Sequence, residues 1–146
     1  MNTFHTIVVP TDFSPYSEEA YRVALRLASA TGARLVMLHI VHGTAVSTDT
    51  GGVISVPAKG EPENLTERLR AVYPGDGKVV VEHHLIISDR DSTKHILDFS
   101  EKLNCDFIVL GTHGRTGLKH LLFGSGAEEV VRRARCPVVV VKAPIT

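Results

Sequence analysis

Tryptophan is absent from the 146-residue chain and aromatic residues make up only 5% of it, so the core must be built mainly from aliphatic side chains. Net charge is also absent, because 16 Lys and Arg offset 16 Asp and Glu. Without an overall field to concentrate polyanions, neither nucleic acid nor an anionic membrane is an expected partner. No apolar stretch approaches the roughly 18 residues that span a bilayer. The start, Met1-Asn2-Thr3-Phe4-His5, lacks the basic region of a signal peptide. The expected location is therefore cytoplasmic. Two cysteines, Cys105 and Cys136, show neither CxxC nor zinc spacing, and a reducing compartment keeps them as packing thiols. Cys136, which precedes Pro137 at a strand entrance, has a second reading as a redox sensor with only Arg135 beside it to support that role.

What the chain does have is a series of short unbroken apolar runs: Thr6 to Val9, Leu35 to Val41, Val79 to Ile87 around Glu82-His83-His84, Phe107 to Leu110, and Val138 to Val141. They lack the alternation of a sheet with one wet face, which points to parallel strands covered on both sides. Helical spacing fills the gaps. Tyr16, Ala20, Val23, Ala24, Leu27 and Ala28 form one stripe, with Ser14 as N-cap, Pro15 at the first helical position and Gly32 at the end. Leu65, Leu69 and Val72 predict a helix from about Glu61 to Tyr73, stopped by Pro74-Gly75-Asp76-Gly77. A third helix is expected from Ser92 to Leu103, burying Ile96, Phe99 and Leu103 with Leu97 on the flank. In the fourth, Ser125 and Glu128 have capping-box spacing and Ala127, Val130, Val131 and Ala134 share a face, while Arg132, Arg133 and Arg135 complement the negative helix end.

This alternation predicts a single α/β domain over residues 1–146, a five-stranded parallel doubly wound (Rossmann-like) sheet with helices on both faces. Ligand chemistry in such a fold lies at the carboxyl ends of the strands. The segment from Gly43 to Gly60 has no strong periodicity and is too long for a connector, so it reads as a loop covering that edge. The valine strand at the end leaves an apolar edge for a partner strand to cover.

The fourth strand leads into Gly111-Thr112-His113-Gly114-Arg115-Thr116-Gly117, and Gly124-Ser125 opens the last helix. A glycine-rich loop ending at a helix N-terminus aims amide N–H groups at phosphate oxygens, although the same glycines also serve as plain turn formers. Walker and dinucleotide fingerprints are absent. At the end of the first strand, Asp12 suits a ribose hydroxyl or Mg²⁺, or else forms a turn. Adjacent His83 and His84 point to opposite strand faces, which argues against a metal cluster. His113 and His120 instead flank the phosphate position, where Arg115 is either a ligand contact or a solvated charge.

Gly111-x2-Gly114-x9-Gly124-Ser125, then Cys136-Pro137 before a valine strand, resembles the universal stress protein family. So do Val8-Val9-Pro10-Thr11-Asp12-Phe13-Ser14 and Leu38-His39-Ile40-Val41. The resemblance implies ATP with Mg²⁺ as ligand, with Gly111, His113, Gly114, Arg115, Gly124, Ser125, Gly126 and Ala127 around the phosphates. It places Asp12 at ribose or metal, Pro10 and Thr11 along the pocket, and Val41 at the base. It further implies a homodimer through Val138 to Val141 and a stress-response regulator with unknown protein partners.

Gly126, Ala127 and Ser88 depart from the ATP-binding pattern, which keeps open a member that binds no nucleotide and acts by protein contacts. A receiver domain shares the strand order but requires an acidic pair where only Asp12 stands. No nucleophile-base-orienter set is evident, so enzymatic activity is limited to slow ATP hydrolysis.

Overall fold

The structure is a computed structural model that describes residues 3–112 and 125–142, without the side chain of Ser125. In chain order the elements are β1 (Thr6–Pro10), α1 (Pro15–Thr31), β2 (Arg34–Ser47), β3 (Val53–Pro57), α2 (Leu65–Val72), β4 (Val81–Ser88), α3 (Ser92–Lys102), β5 (Phe107–Gly111), α4 (Ser125–Arg133) and β6 (Val138–Val141). Five strands are parallel in the order β4-β2-β1-β5-β6. β1 pairs with Arg34–Leu38 of β2 and β4 with Leu35–His42, so they flank it on opposite sides. The order reverses between β1 and β5, where a doubly wound sheet opens a crevice at its carboxyl edge.

Burial explains the unbroken apolar runs. Ile7, Val9, Leu35, Met37 and Val109 pack under Ala20, Tyr21, Ala24 and Ala28 of α1 and Leu69 of α2. The alternate residues Val8, Val36, Leu38, Ile108 and Leu110 pack under Ile96 and Phe99 of α3 and Val130 of α4. Each central strand thus needs apolar side chains on both faces. Ser14 caps α1 by accepting a hydrogen bond from Ser17 N at 3.2 Å, and Gly32 ends it at φ 78°, a left-handed conformation that favours glycine. His83 and His84 do point to opposite faces: His83 Nε2 donates to the Tyr73 carbonyl at 2.7 Å, while His84 lies against Phe99. Arg133 pairs with Glu129 at 2.6 Å and Arg135 with Glu101 at 2.8 Å.

Three expectations change. The sheet is mixed and six-stranded, because the expected loop from Gly43 to Gly60 forms a ribbon. There β2 continues to Ser47 and pairs antiparallel with β3, from Gly43 opposite Pro57 to Ser47 opposite Val53. Its turn is closed by Thr48 N donating to Gly52 O at 2.8 Å and by the Thr48 hydroxyl. A Cβ on Gly43 would collide with the Val56 carbonyl and Ile87, so glycine is required where the ribbon leaves the core sheet. Second, α2 is shorter than expected and starts at Leu65. Third, Val131 is 42% exposed rather than part of the buried α4 stripe. The capping-box pairing of Ser125 with Glu128 lies outside the described residues.

The ribbon's β3 is exposed throughout, and a two-stranded ribbon adds little stability by itself. Replacing Thr44–Val56 with Asn-Gly, which closes a two-residue hairpin between Gly43 and Pro57, is expected to change Tm by less than about 3 °C in a thermal melt.

Candidate functional site

β1 ends at Pro10, and the next two residues are fixed from all sides. Thr11 N donates to Leu38 O at 2.8 Å, its carbonyl accepts from His39 Nδ1 at 2.7 Å, and its hydroxyl shares a 2.5 Å hydrogen bond with the Tyr73 hydroxyl. Because a carbonyl only accepts, His39 carries its proton on Nδ1 here. Burial pushes the Tyr73 phenol above its ordinary pKa, against the opposing effect of the Thr11 hydrogen bond, so it stays protonated. Phe13 follows at φ 63°, a left-handed conformation unusual for a bulky residue. Its ring is held by contacts with His39 and Tyr73 and by the Arg68 guanidinium 4.1 Å above it.

Asp12 sits between these anchors. Its Oδ1 accepts from Ser14 N at 3.0 Å and from Ser17 Oγ at 2.7 Å. The carboxylate therefore forms the turn into α1 and also faces a cleft of about 500 Å³. The turn reading of Asp12 holds, and the same turn fixes the direction in which the carboxylate is presented to the cleft.

The cleft gathers Pro10, Thr11, Asp12, Gly111, Gly126 and Ala127 at the carboxyl ends of β1 and β5 and the first turn of α4. Val41 is not part of its wall: that side chain is buried at 1% exposure, and its neighbours Ile40 and His42 line the cleft instead. His113, Gly114, Arg115 and Gly124 lie outside the described residues, as does the side chain of Ser125. Gly111 has a packing reason of its own, since a Cβ there would stand 2.7 Å from the Tyr16 carbonyl oxygen of α1. Among the described residues, a Cβ at Gly126 would meet Thr93 Oγ1 at 3.4 Å, which is ordinary contact.

Sequence reasoning missed most of the far wall, Glu61, Arg90, Ser92 and Thr93, which stand with Ser88, the residue it had noted as a departure from the ATP-binding pattern. The Ser88 hydroxyl accepts from Arg90 N at 2.9 Å and bonds His95 Nε2 at 2.5 Å. The signal was available, because the rule that selected Asp12 after β1 also selects the residues just after β4. Among the described residues no group of three or more His, Cys, Asp or Glu is arranged to hold a metal ion, and no helix is long and apolar enough to cross a membrane.

The model of the universal stress protein family matches residues 3–142. The chain belongs to the universal stress protein family. Universal stress protein MJ0531 of Methanocaldococcus jannaschii is 34% identical over 151 residues, covering 98% of this chain and 85% of that one. Among solved structures, a universal stress protein in complex with cAMP superimposes with a TM-score of 0.70 at 20% identity, covering 98% of this chain and all of the other. A universal stress protein from Archaeoglobus fulgidus in complex with dAMP gives 0.64 at 21% identity, covering 97% and 100%. At these identities the likeness establishes the fold, and the universal stress protein assignment rests on the family match and MJ0531.

The two glycines in the wall are expected to behave differently. Gly111→Ala forces a side chain into the α1 backbone and should destabilise by about 1–3 kcal/mol. Gly126→Ala should be neutral or slightly stabilising, because alanine favours a helix over glycine. Urea titrations of the two variants check this.

Proposed function

We propose that this universal stress protein is a nucleotide-responsive regulatory module that binds an adenine nucleotide, ATP with Mg²⁺, in the carboxyl-edge cleft and acts as a homodimer. The observation that carries the proposal is the convergence of a fixed carboxylate, two glycines and a helix N-terminus on one cleft. Its volume of about 500 Å³ falls within the 300–1,000 Å³ usual for small-molecule sites. The cAMP and dAMP held by the two solved relatives support an adenine nucleotide as ligand.

In this reading the phosphates meet the first turn of α4, where backbone amide N–H groups and the helix dipole favour anions. Gly111, His113, Gly114, Arg115, Gly124, Ser125, Gly126 and Ala127 surround them. Gly126 and Ala127 leave room but offer no side-chain donor, so the backbone does the work there. Asp12 takes the ribose or the metal. A single carboxylate together with phosphate oxygens suits Mg²⁺, which keeps most of its water and needs no all-protein cage. Bound Mg²⁺ supplies charge neutralisation, needed because Asp12 and Glu61 both face the cleft. Thr11 lines the wall through its shape, its polar atoms being engaged with Leu38, His39 and Tyr73.

The base lies against Ile40 and His42, the residues of β2 on either side of Val41 that line the cleft. β1 leaves β2 after the pairing of Pro10 with Leu38, which opens the side of β2 that β1 had covered. Dimerisation uses β6, which among the described residues pairs with β5 alone. Its outer edge accepts the same strand of a second copy about a two-fold axis.

Titration of ATP with Mg²⁺ by calorimetry is expected to show one site per chain. Binding should be lost in Gly124→Val and weakened about tenfold or more in Asp12→Asn, which keeps the turn but removes the charge. No binding to folded wild type would favour a protein-contacting role without nucleotide. Val140→Pro should convert the dimer to monomer by light scattering, and an unchanged dimer would place the interface elsewhere.

A further inference from the structure

Cys105 and Cys136 are 31 residues apart in sequence, yet their Sγ atoms touch at 3.5 Å. Cys105 follows α3 and leads into β5, and Cys136 follows α4 and leads into β6. The two thiols therefore meet where adjacent parallel strands begin, at the opposite edge of the sheet from the cleft. Both belong to the apolar layer under α3 and α4. Cys105 is buried and Cys136 half-buried, so an oxidant reaches Cys136 first. From contact, the sulfurs need to close only to the roughly 2.0 Å of a disulfide bond.

We propose that Cys105 and Cys136 form a reversible intramolecular disulfide under peroxide. Peroxide oxidises the Cys136 thiol to a sulfenic acid and releases one water. The Cys105 sulfur then attacks that sulfur, the S–O bond breaks, a second water leaves with the Cys105 proton, and the S–S bond forms. Overall, two thiols lose two electrons and two protons to one peroxide, and a dithiol reductant reverses the change. Burial and the neighbouring Cys136 thiol push the Cys105 thiol up to about 12. It therefore stays protonated at neutral pH and makes a poor first target, and as the resolving partner it gives up that proton only as its sulfur attacks.

The bridge closes a loop of chain that contains β5, the glycine-rich segment and α4. Cross-linking restricts the unfolded chain, so the oxidised protein should melt about 5–15 °C higher than the reduced one.

The test is to treat the folded full-length protein with hydrogen peroxide, block remaining thiols with iodoacetamide, and measure intact mass, a Cys105–Cys136 linked peptide and Tm. The expected result is a monomeric chain about 2 Da lighter with no alkylation, a raised Tm, and return of both thiols with dithiothreitol. Cys136→Ser should abolish the Tm rise, and Cys105→Ser should stop at a trapped sulfenic acid detectable with dimedone. Quantitative alkylation of both thiols after peroxide, cross-links only between chains, or sulfinic acid at Cys136 in the wild type would each overturn the proposal. None of these readouts depends on nucleotide binding.

Discussion

Burial on both faces of the parallel sheet is the constraint from which the rest follows. Once β1, β2 and β5 are covered by α1 and α2 on one side and by α3 and α4 on the other, their side chains are committed to packing. Polar chemistry is displaced to the strand ends. At the carboxyl edge the chain reverses its winding order between β1 and β5, and the helices that follow those strands start there, on opposite faces of the sheet. The cleft is thus a product of topology before any single residue is considered.

Local residues then turn the gap into a defined site. Thr11 joins β1 to β2 through its backbone and to Tyr73, just past α2, through its hydroxyl. That connection holds Phe13 in its left-handed conformation and fixes the direction of Asp12. Gly111 has the opposite character, acting through the side chain it lacks: it lets β5 approach the first turn of α1. Glycines grouped together in the sequence are therefore separable: packing requires Gly111, whereas the described residues around Gly126 would accept a Cβ there.

Most of the architecture was legible because two-sided burial leaves a plain trace. Runs such as Leu35 to Val41 cannot occur in a sheet with one wet face, and Ser14-Pro15 and Gly32 mark the ends of α1 by mechanisms local to those residues. The ribbon was not read because it lacks that trace. β3 is exposed throughout, so no periodic burial marks it, and its pairing depends on β2 running past the core sheet. The turn residues Thr48 to Gly52 and the β-favouring Val53, Ile54 and Val56 were available, but together with Gly43 and Gly60 they resembled an irregular connector. At the site, residues whose identity alone carries chemistry, Asp12 above all, were legible. Arg90, Ser92 and Thr93 were missed because their relevance comes from position, a property of the folded sheet. The contact between Cys105 and Cys136 was hidden for the same reason, since a separation of 31 residues gives no hint that two strand entrances lie side by side.

The most direct test of the central claim, that the carboxyl edge is the nucleotide site, is hydrogen–deuterium exchange with and without ATP and Mg²⁺. Slower exchange confined to residues 10–17, 38–42, 61, 88–93 and 110–128, with β3 and the amino-terminal strand ends unchanged, is the result this account predicts. Slowed exchange elsewhere, or no change at saturating nucleotide, would contradict it.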